Sequence, residues 1–496
     1  MKYFLLPIVF FSMFVCFSQE QTKLKVLESP EFYDDVKTNE VISMHTSESG
    51  IIGIVRNSKK HLLFDIFNES LGRIKNVTIE TDRNENYCGY LSFDNAMKIF
   101  TVFERTKKDR TVYCHEFNIN NGLHKKTELF NAEVEKNQSL FSGSNKRQTD
   151  FAMSPNGDYF VISTDDIKKN ANSYTVRVYK SSDLSLVYQK AYQDNVEKFY
   201  QPNALFIDNS ANVFALGKLF LEGRLQKKDG KANYDFVLNK LTETSSKTTP
   251  VNFNINEHIS SLIISNSNGQ LRLLGFYSEK NVSAIKGALV FNVDTESMQI
   301  TQSKAFKLPE NVYKYLYSES VADRKKDQEL SSFYIDYLIE DKEGNTYLLA
   351  EEFYVTTVYV SMGMNGGYWQ TIYHYDDVMI LKLNAQGDLE WGGSIFKRTT
   401  APSYNAFVKN GELHVILNSG KNLVEKEDGR VKVSKGLFES TSLYDIVFNS
   451  KGETTYSKIQ DNKNNTFYLP FYGIFNDERF ITISDGLGKN QFLILE

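Results

Sequence analysis

A short apolar strand, a tight turn of Asn, Asp or Gly, and a second apolar strand recur along the whole chain, and few architectures accommodate such a repeat. The clearest copies run through Ser154-Pro155-Asn156-Gly157-Asp158, Asp208-Asn209-Ser210-Ala211-Asn212 and Asp341-Lys342-Glu343-Gly344-Asn345. Weaker ones lie at 47–52, 93–100, 265–272 and 409–414. A third strand recurs in step with them, announced by Tyr234-Asp235, Asp376-Asp377 and Tyr444-Asp445. In two of these three cases a further turn follows, at Gln386-Gly387-Asp388 and Ser450-Lys451-Gly452, and leads into a fourth strand.

Four antiparallel strands per unit is the anatomy of a propeller blade. Units fall at 38–80, 86–131, 149–193, 201–253, 257–308, 331–398 and 402–459, with a remainder from Tyr468. That remainder offers only three strands, Leu469–Phe475, Phe480–Ser484 and Gln491–Leu495. The segment Lys23–Leu27 can supply the missing fourth, and closing the ring removes two exposed edges that would otherwise pair with other chains. The sequence therefore predicts an all-β fold, a single β-propeller of about eight blades with seven as the alternative, closed by pairing of the N-terminal strand with the C-terminal blade.

Through Ser154-Pro155-Asn156-Gly157 and Asp376-Asp377-Val378-Met379-Ile380-Leu381-Lys382-Leu383 the blades resemble WD-repeat-like and Tol-type propellers, most closely exported propellers of the Bacteroidetes. The resemblance covers nearly the whole chain after its first residues, and it is one of fold. The Trp-Asp dipeptide of true WD repeats is absent. Propellers host enzymes, ligand binders and scaffolds, so function has to be argued from a site.

Composition narrows the classes. Aromatics make up 14% of the chain, with 29 Tyr and 36 Phe, which favours strands and permits a large core. Lys and Arg number 57 against 62 Asp and Glu, without long same-sign runs, so the basic face of a nucleic-acid binder is not expected. Residues 1–18, with Lys2, the apolar run Tyr3–Phe17 and a cut near Ser18, read as a signal peptide. The mature chain is then expected in the periplasm or outside the cell, without a transmembrane segment. Cys16 lacks the small preceding residue of a lipidation site, because Met13, Phe14 and Val15 stand before it. The last blade is expected to use the chain up to Leu495, so a C-terminal sorting domain is not expected and the periplasm is favoured over dedicated secretion to the surface. Cys88 and Cys114, in the first and third strands of one blade, would sit ~9.6 Å apart, beyond disulfide reach, and are expected as free thiols.

The long insertions fall where second strands join third strands and where one blade joins the next. Both kinds of loop share the face on which propellers usually bind ligands. Residues 354–376 flank Asn365-Gly366-Gly367 with alternating residues and predict a hairpin rising from blade six. Its candidate binding residues are Tyr359, Tyr368, Trp369, Tyr373, His374 and Tyr375, since aromatic rings give rigid, partly polar contact area for a protein or a sugar. The competing reading has the same rings packing the hairpin over the propeller. A second insertion, 309–330, is expected beside it, helical through Val321–Leu330. Asp235, Asp377 and Asp445 are expected to accept backbone N–H groups of their own loops rather than to bind calcium or act in catalysis.

The seven His residues show no two-ligand spacing, and no nucleophile elbow, phosphate loop or EF-hand loop occurs, so no metal, cofactor or catalytic residue is assigned. Sialidase boxes are missing. The two Trp residues fall short of the repeated Trp of eight-bladed quinoproteins. The resulting expectation is a non-catalytic binding or scaffold propeller that recognises a protein or glycan partner in the cell envelope. The alternative is a glycan-active enzyme, a hydrolase or lyase, with carboxylates at the central channel.

Overall fold

One turn device underlies the repeat. In the computed structural model, Asp341 accepts the N–H groups of Glu343 and Asn345 while Gly344 takes φ 84°, and Asp208 accepts those of Ser210 and Asn212 while Ala211 takes φ 62°. Asn384 and Asn449 do the same between third and fourth strands, with Gly387 and Gly452 at φ 76° and 79°. A short carboxylate or amide thus closes the turn on its own backbone, and the left-handed residue three positions on is the one that glycine suits best. The structure describes residues 20–38, 40–104, 109–133, 149–168, 171–193, 198–253, 257–279, 284–326, 328–361, 367–428, 430–433, 440–463, 467–485 and 488–496. The proposed signal peptide lies outside them.

These turns fold the chain into eight sheets with four-stranded antiparallel cores: seven take their strands in chain order, at 40–80, 85–133, 149–192, 200–251, 258–307, 333–397 and 404–461, and the eighth takes three from 474–495 and its fourth from Val26–Glu28. Strand-leading apolar residues fill the gaps between neighbouring blades. Blades one and two share Val55, Phe64, Ile99 and Phe117, and blades four and five share Phe214, Phe236, Leu273 and Phe291. The last interface joins blade eight to blade one through Ile481, Ile483, Phe492 and Ile494 against Met44, Ile54 and Phe67, so the ring is closed. The protein is an eight-bladed β-propeller.

Closure follows the expected route with a small shift. Val26–Glu28 pairs antiparallel with Leu493–Leu495, and Lys25 and Glu496 exchange backbone hydrogen bonds of 2.8 and 2.9 Å. Just before it, Glu20–Gln21 pairs parallel with the outer strand of blade seven, and Leu24 is buried between blades seven and eight. The N-terminal segment therefore clips two blades. Among the described residues Cys88 and Cys114 are free thiols, and burial pushes both up to about 12.

Two local expectations need correction. The segment Leu469–Phe475 is not one strand: Pro470, without an N–H to donate, starts a 3-10 turn over Pro470–Tyr472, and only Ile474–Asn476 pairs. The second insertion forms two short helices, Glu310–Leu316 and Glu319–Lys325, earlier than Val321–Leu330. Val312, Tyr313 and Leu316 bury one face of the first helix against blades five and six, while Leu330 is taken into a bridge with Ile285.

Candidate functional site

Blade six departs from the other seven. Its central strands, Thr346–Ser361 and Gly367–Leu383, have 16 and 17 residues, whereas central strands elsewhere have ten or fewer. Their lower halves lie within the sheet. Above a register shift between Glu351 and Phe353 they leave it and run on as a two-stranded ribbon as far as the Ser361–Gly367 pair.

Side chains alternate across such a ribbon, so register decides which of them share a face. Phe353 opposes Tyr375 and Val355 opposes Tyr373, and Trp369 stands four residues before Tyr373 on the same face. Trp369 is 70% exposed, Tyr373 52% and Val355 47%, and they continue into Tyr334 of the first strand at 58%. Ring contacts of 6.3 Å from Tyr334 to Phe353 and 4.9 Å from Phe353 to Tyr375 link the lower part of this stripe. His374 points the other way. It stacks on Tyr354 at 4.4 Å and shares a 2.8 Å hydrogen bond with Thr356, so it belongs to the packing of the ribbon and not to the exposed stripe. The side chains of Tyr359 and Tyr368 lie outside the described residues, as does the 362–366 turn.

At the root of the ribbon the strand ends bring together Asp336, Glu351, Glu352, Asp376 and Asp377 with Lys397 and Arg398. Lys397 Nζ bonds the Glu351 carboxylate and the Tyr375 carbonyl, and Arg398 bonds Asp377. Tyr404 donates to Asp336 at 2.9 Å and Tyr354 to Asp376 at 2.8 Å. Burial pushes Asp377 up to about 7, with Arg398 drawing it back only in part and Glu352 and Asp376 adding repulsion. Burial likewise raises Glu351, Glu352 and Asp336 and lowers Lys397. The second insertion reaches this root, where burial and the charges of Glu352 and Asp377 push the Tyr317 hydroxyl up to about 12. The sequence displays the cluster only as three like-charge doublets, Glu351-Glu352, Asp376-Asp377 and Lys397-Arg398, whose convergence depends on strand register.

The three aspartates expected to serve their own loops do not share that role. Asp235 is exposed, Asp445 is buried and bonded to His414 and Thr22, and Asp377 accepts a backbone N–H from Lys397 of the fourth strand at 3.1 Å. Among the described residues no group of three or more His, Cys, Asp or Glu could hold a metal ion, and no helix is long and apolar enough to cross a membrane.

No family profile matches the chain, and no curated protein does. The solved structures it resembles include a β-propeller domain and a WD40 domain. The β-propeller domain of the Trilobed protease from Pyrococcus furiosus has a TM-score of 0.39 at 9% identity, covering 86% of this chain and 100% of that one. The WD40 domain of SCAP from fission yeast has a TM-score of 0.40 at 7% identity, covering 96% of both chains. A prolyl endopeptidase scores 0.37 at 11% identity over 83% of this chain, which spans 46% of that enzyme's length.

Proposed function

We propose that this propeller is an exported binding or scaffold protein of the cell envelope that holds a protein partner through the exposed face of the blade-six ribbon. The observation that carries the reading is the line of Tyr334, Val355, Tyr373 and Trp369 on one face of an element raised above the blade. Contiguous exposed aromatic surface on a rigid support is what interface anchors require. Export follows from the signal-peptide pattern of residues 1–18 and accords with the resemblance to exported propellers of the Bacteroidetes. Mass mapping of the native protein's N-terminus should find it near Gln19, and an intact Met1 would remove the envelope from the proposal.

The carboxylates at the ribbon root are the feature a glycan-active enzyme would need. Asp336, Asp376 and Asp377 are already engaged by Tyr404, Tyr354 and Arg398, and although Asp336 is exposed and the Glu352 and Arg398 side chains are 24% and 41% exposed, Asp376 and Asp377 are buried. That arrangement supports a charge cluster that anchors the ribbon over one that flanks a substrate. The test is capture from the cell envelope by the parent chain and by Trp369→Ala/Tyr373→Ala. The double variant should keep its fold, because both side chains are largely exposed, and should lose the captured partner. Undiminished capture would overturn the assignment of the surface.

A further inference from the structure

A second feature lies at the same end of the propeller, between blades six, seven and eight, and none of the ribbon's exposed residues lines it. It is a cavity of 360 Å³, at the small end of the roughly 300–1,000 Å³ range of ligand pockets. One wall is the 3-10 turn Pro470–Tyr472, which presents Phe471 at 42% exposure. Buried Asn405 fixes that turn by donating to the carbonyls of Pro470 at 3.2 Å and Gly473 at 2.8 Å. The facing wall is the connection from blade six to blade seven, where Thr399 is pinned to the Tyr375 carbonyl at 2.6 Å.

Ser419, Asn418 and Thr441, at the ends of the two central strands of blade seven, also line the cavity. Asn418 is committed, donating to the Tyr468 carbonyl and accepting from Asn462, both at 2.7 Å. Thr441 Oγ1 accepts from Asn462 at 3.1 Å, which leaves its own proton free to donate. Ser419 is 1% exposed, and among the described residues its hydroxyl has no hydrogen-bond partner. Leaving a buried hydroxyl unpaired costs about 1–3 kcal/mol, so a rotation of the Ser419 side chain that brings its hydroxyl to a ligand in the cavity would be favoured. Among the described residues Arg398 is the one charged side chain in the lining, and it is already bonded to Asp377 with Glu352 and Asp376 close by. An anion entering the cavity would meet that negative charge.

We propose that this cavity binds a single neutral sugar ring, one face against Phe471 and its hydroxyl groups on Ser419 and Thr441. Size, an aromatic wall, hydroxyl donors and the lack of an available countercharge each fit that class. An apolar ligand would leave Ser419 unpaired, and a long peptide would exceed the volume.

The test uses the full mature chain titrated with glucose, galactose, mannose, N-acetylglucosamine and their disaccharides, read by calorimetry and ligand-observed NMR. At least one should bind saturably, and Phe471→Ala and Ser419→Ala should each weaken it about tenfold, the equivalent of about 1.4 kcal/mol. Ser419→Ala should meanwhile unfold no earlier than the parent, because it deletes an unpaired group, so weaker binding could not be ascribed to misfolding. Trp369→Ala/Tyr373→Ala should bind the sugar as the parent does, which keeps this proposal separate from that for the ribbon. Absence of saturable binding to every sugar, binding unaffected in both cavity variants, or binding lost in the ribbon variant would each overturn it. A peptide retained in a Phe471-dependent manner while no sugar binds would do so in favour of a protein ligand.

Discussion

Blades two and six each bury a carboxylate at the end from which the ribbon rises, and the two carboxylates behave oppositely. Glu85 opens the first strand of blade two with a side chain 0% exposed, and Asp377, near the start of the extended third strand's in-sheet half, is 4% exposed. Burial acts to raise both. Around Glu85 it is overcome by His115 at 2.8 Å, Thr101 at 2.6 Å and Lys126 at 3.0 Å, which together draw the carboxyl down to about 2. Around Asp377 the Arg398 guanidinium is shared with Asp376 and Glu352, and the group rises to about 7. Buried charge is therefore not one condition. It fixes structure where donors outnumber acceptors, and it stores repulsion where like charges share too few partners.

The largest expected effect comes from breaking the satisfied side. Glu85→Ala removes the acceptor shared by His115, Thr101 and Lys126 and leaves a buried imidazole and hydroxyl without it. Deleting one partner of such a buried network costs ~3–5 kcal/mol, so urea unfolding should shift by that amount. A loss below about 1 kcal/mol, the level of an exposed pair, would mean that the network is not a structural element. Acid should act in the same direction. Burial and the neighbouring His115 and Lys126 lower His124 to about 4, below its ordinary 6.5, so the unfolded chain takes up a proton as pH falls between those values and stability declines. Glu85 adds a further decline from its ordinary 4.5 toward 2.

What the sequence discloses divides along the same line of local against distant. The Asp208, Asp341, Asn384 and Asn449 turns are readable because the side chain bonds its own next few residues. The missing fourth strand of the last blade is readable by counting, and Val26–Glu28 supplies it. The ribbon is readable as a hairpin, but its faces are not. The bulge between Glu351 and Phe353 resets the alternation, so that Asp376 and Asp377 are both buried, and beyond it strict alternation turns His374 away from the face of Tyr373 and Tyr375. The helix positions were set by Val312, Tyr313 and Leu316 finding blades five and six, contacts distant in the chain. The cavity under Phe471 joins three separate loops, and none of its residues carries a pattern of its own.

Asp377→Asn gives a smaller effect but separates the two blades most sharply. Because the folded pKa of Asp377, about 7, lies above the ordinary 3.8, the fold holds a proton that the unfolded chain releases between those values. Its contribution to stability is present in full below 3.8 and is lost as pH rises to 7, opposite in sign to that of blade two. The amide imitates the protonated acid, so the variant should match the parent near pH 4. At pH 8 it should be more stable by about 1 kcal/mol, the lower end of what relief of an unbalanced buried charge provides, after the lost Arg398 bond is offset. Unfolding curves at the two pH values measure the difference. A variant weakened equally at both would show that Arg398 alone keeps Asp377 ionised, and the contrast between the blades would then reduce to the number of donors rather than to stored repulsion.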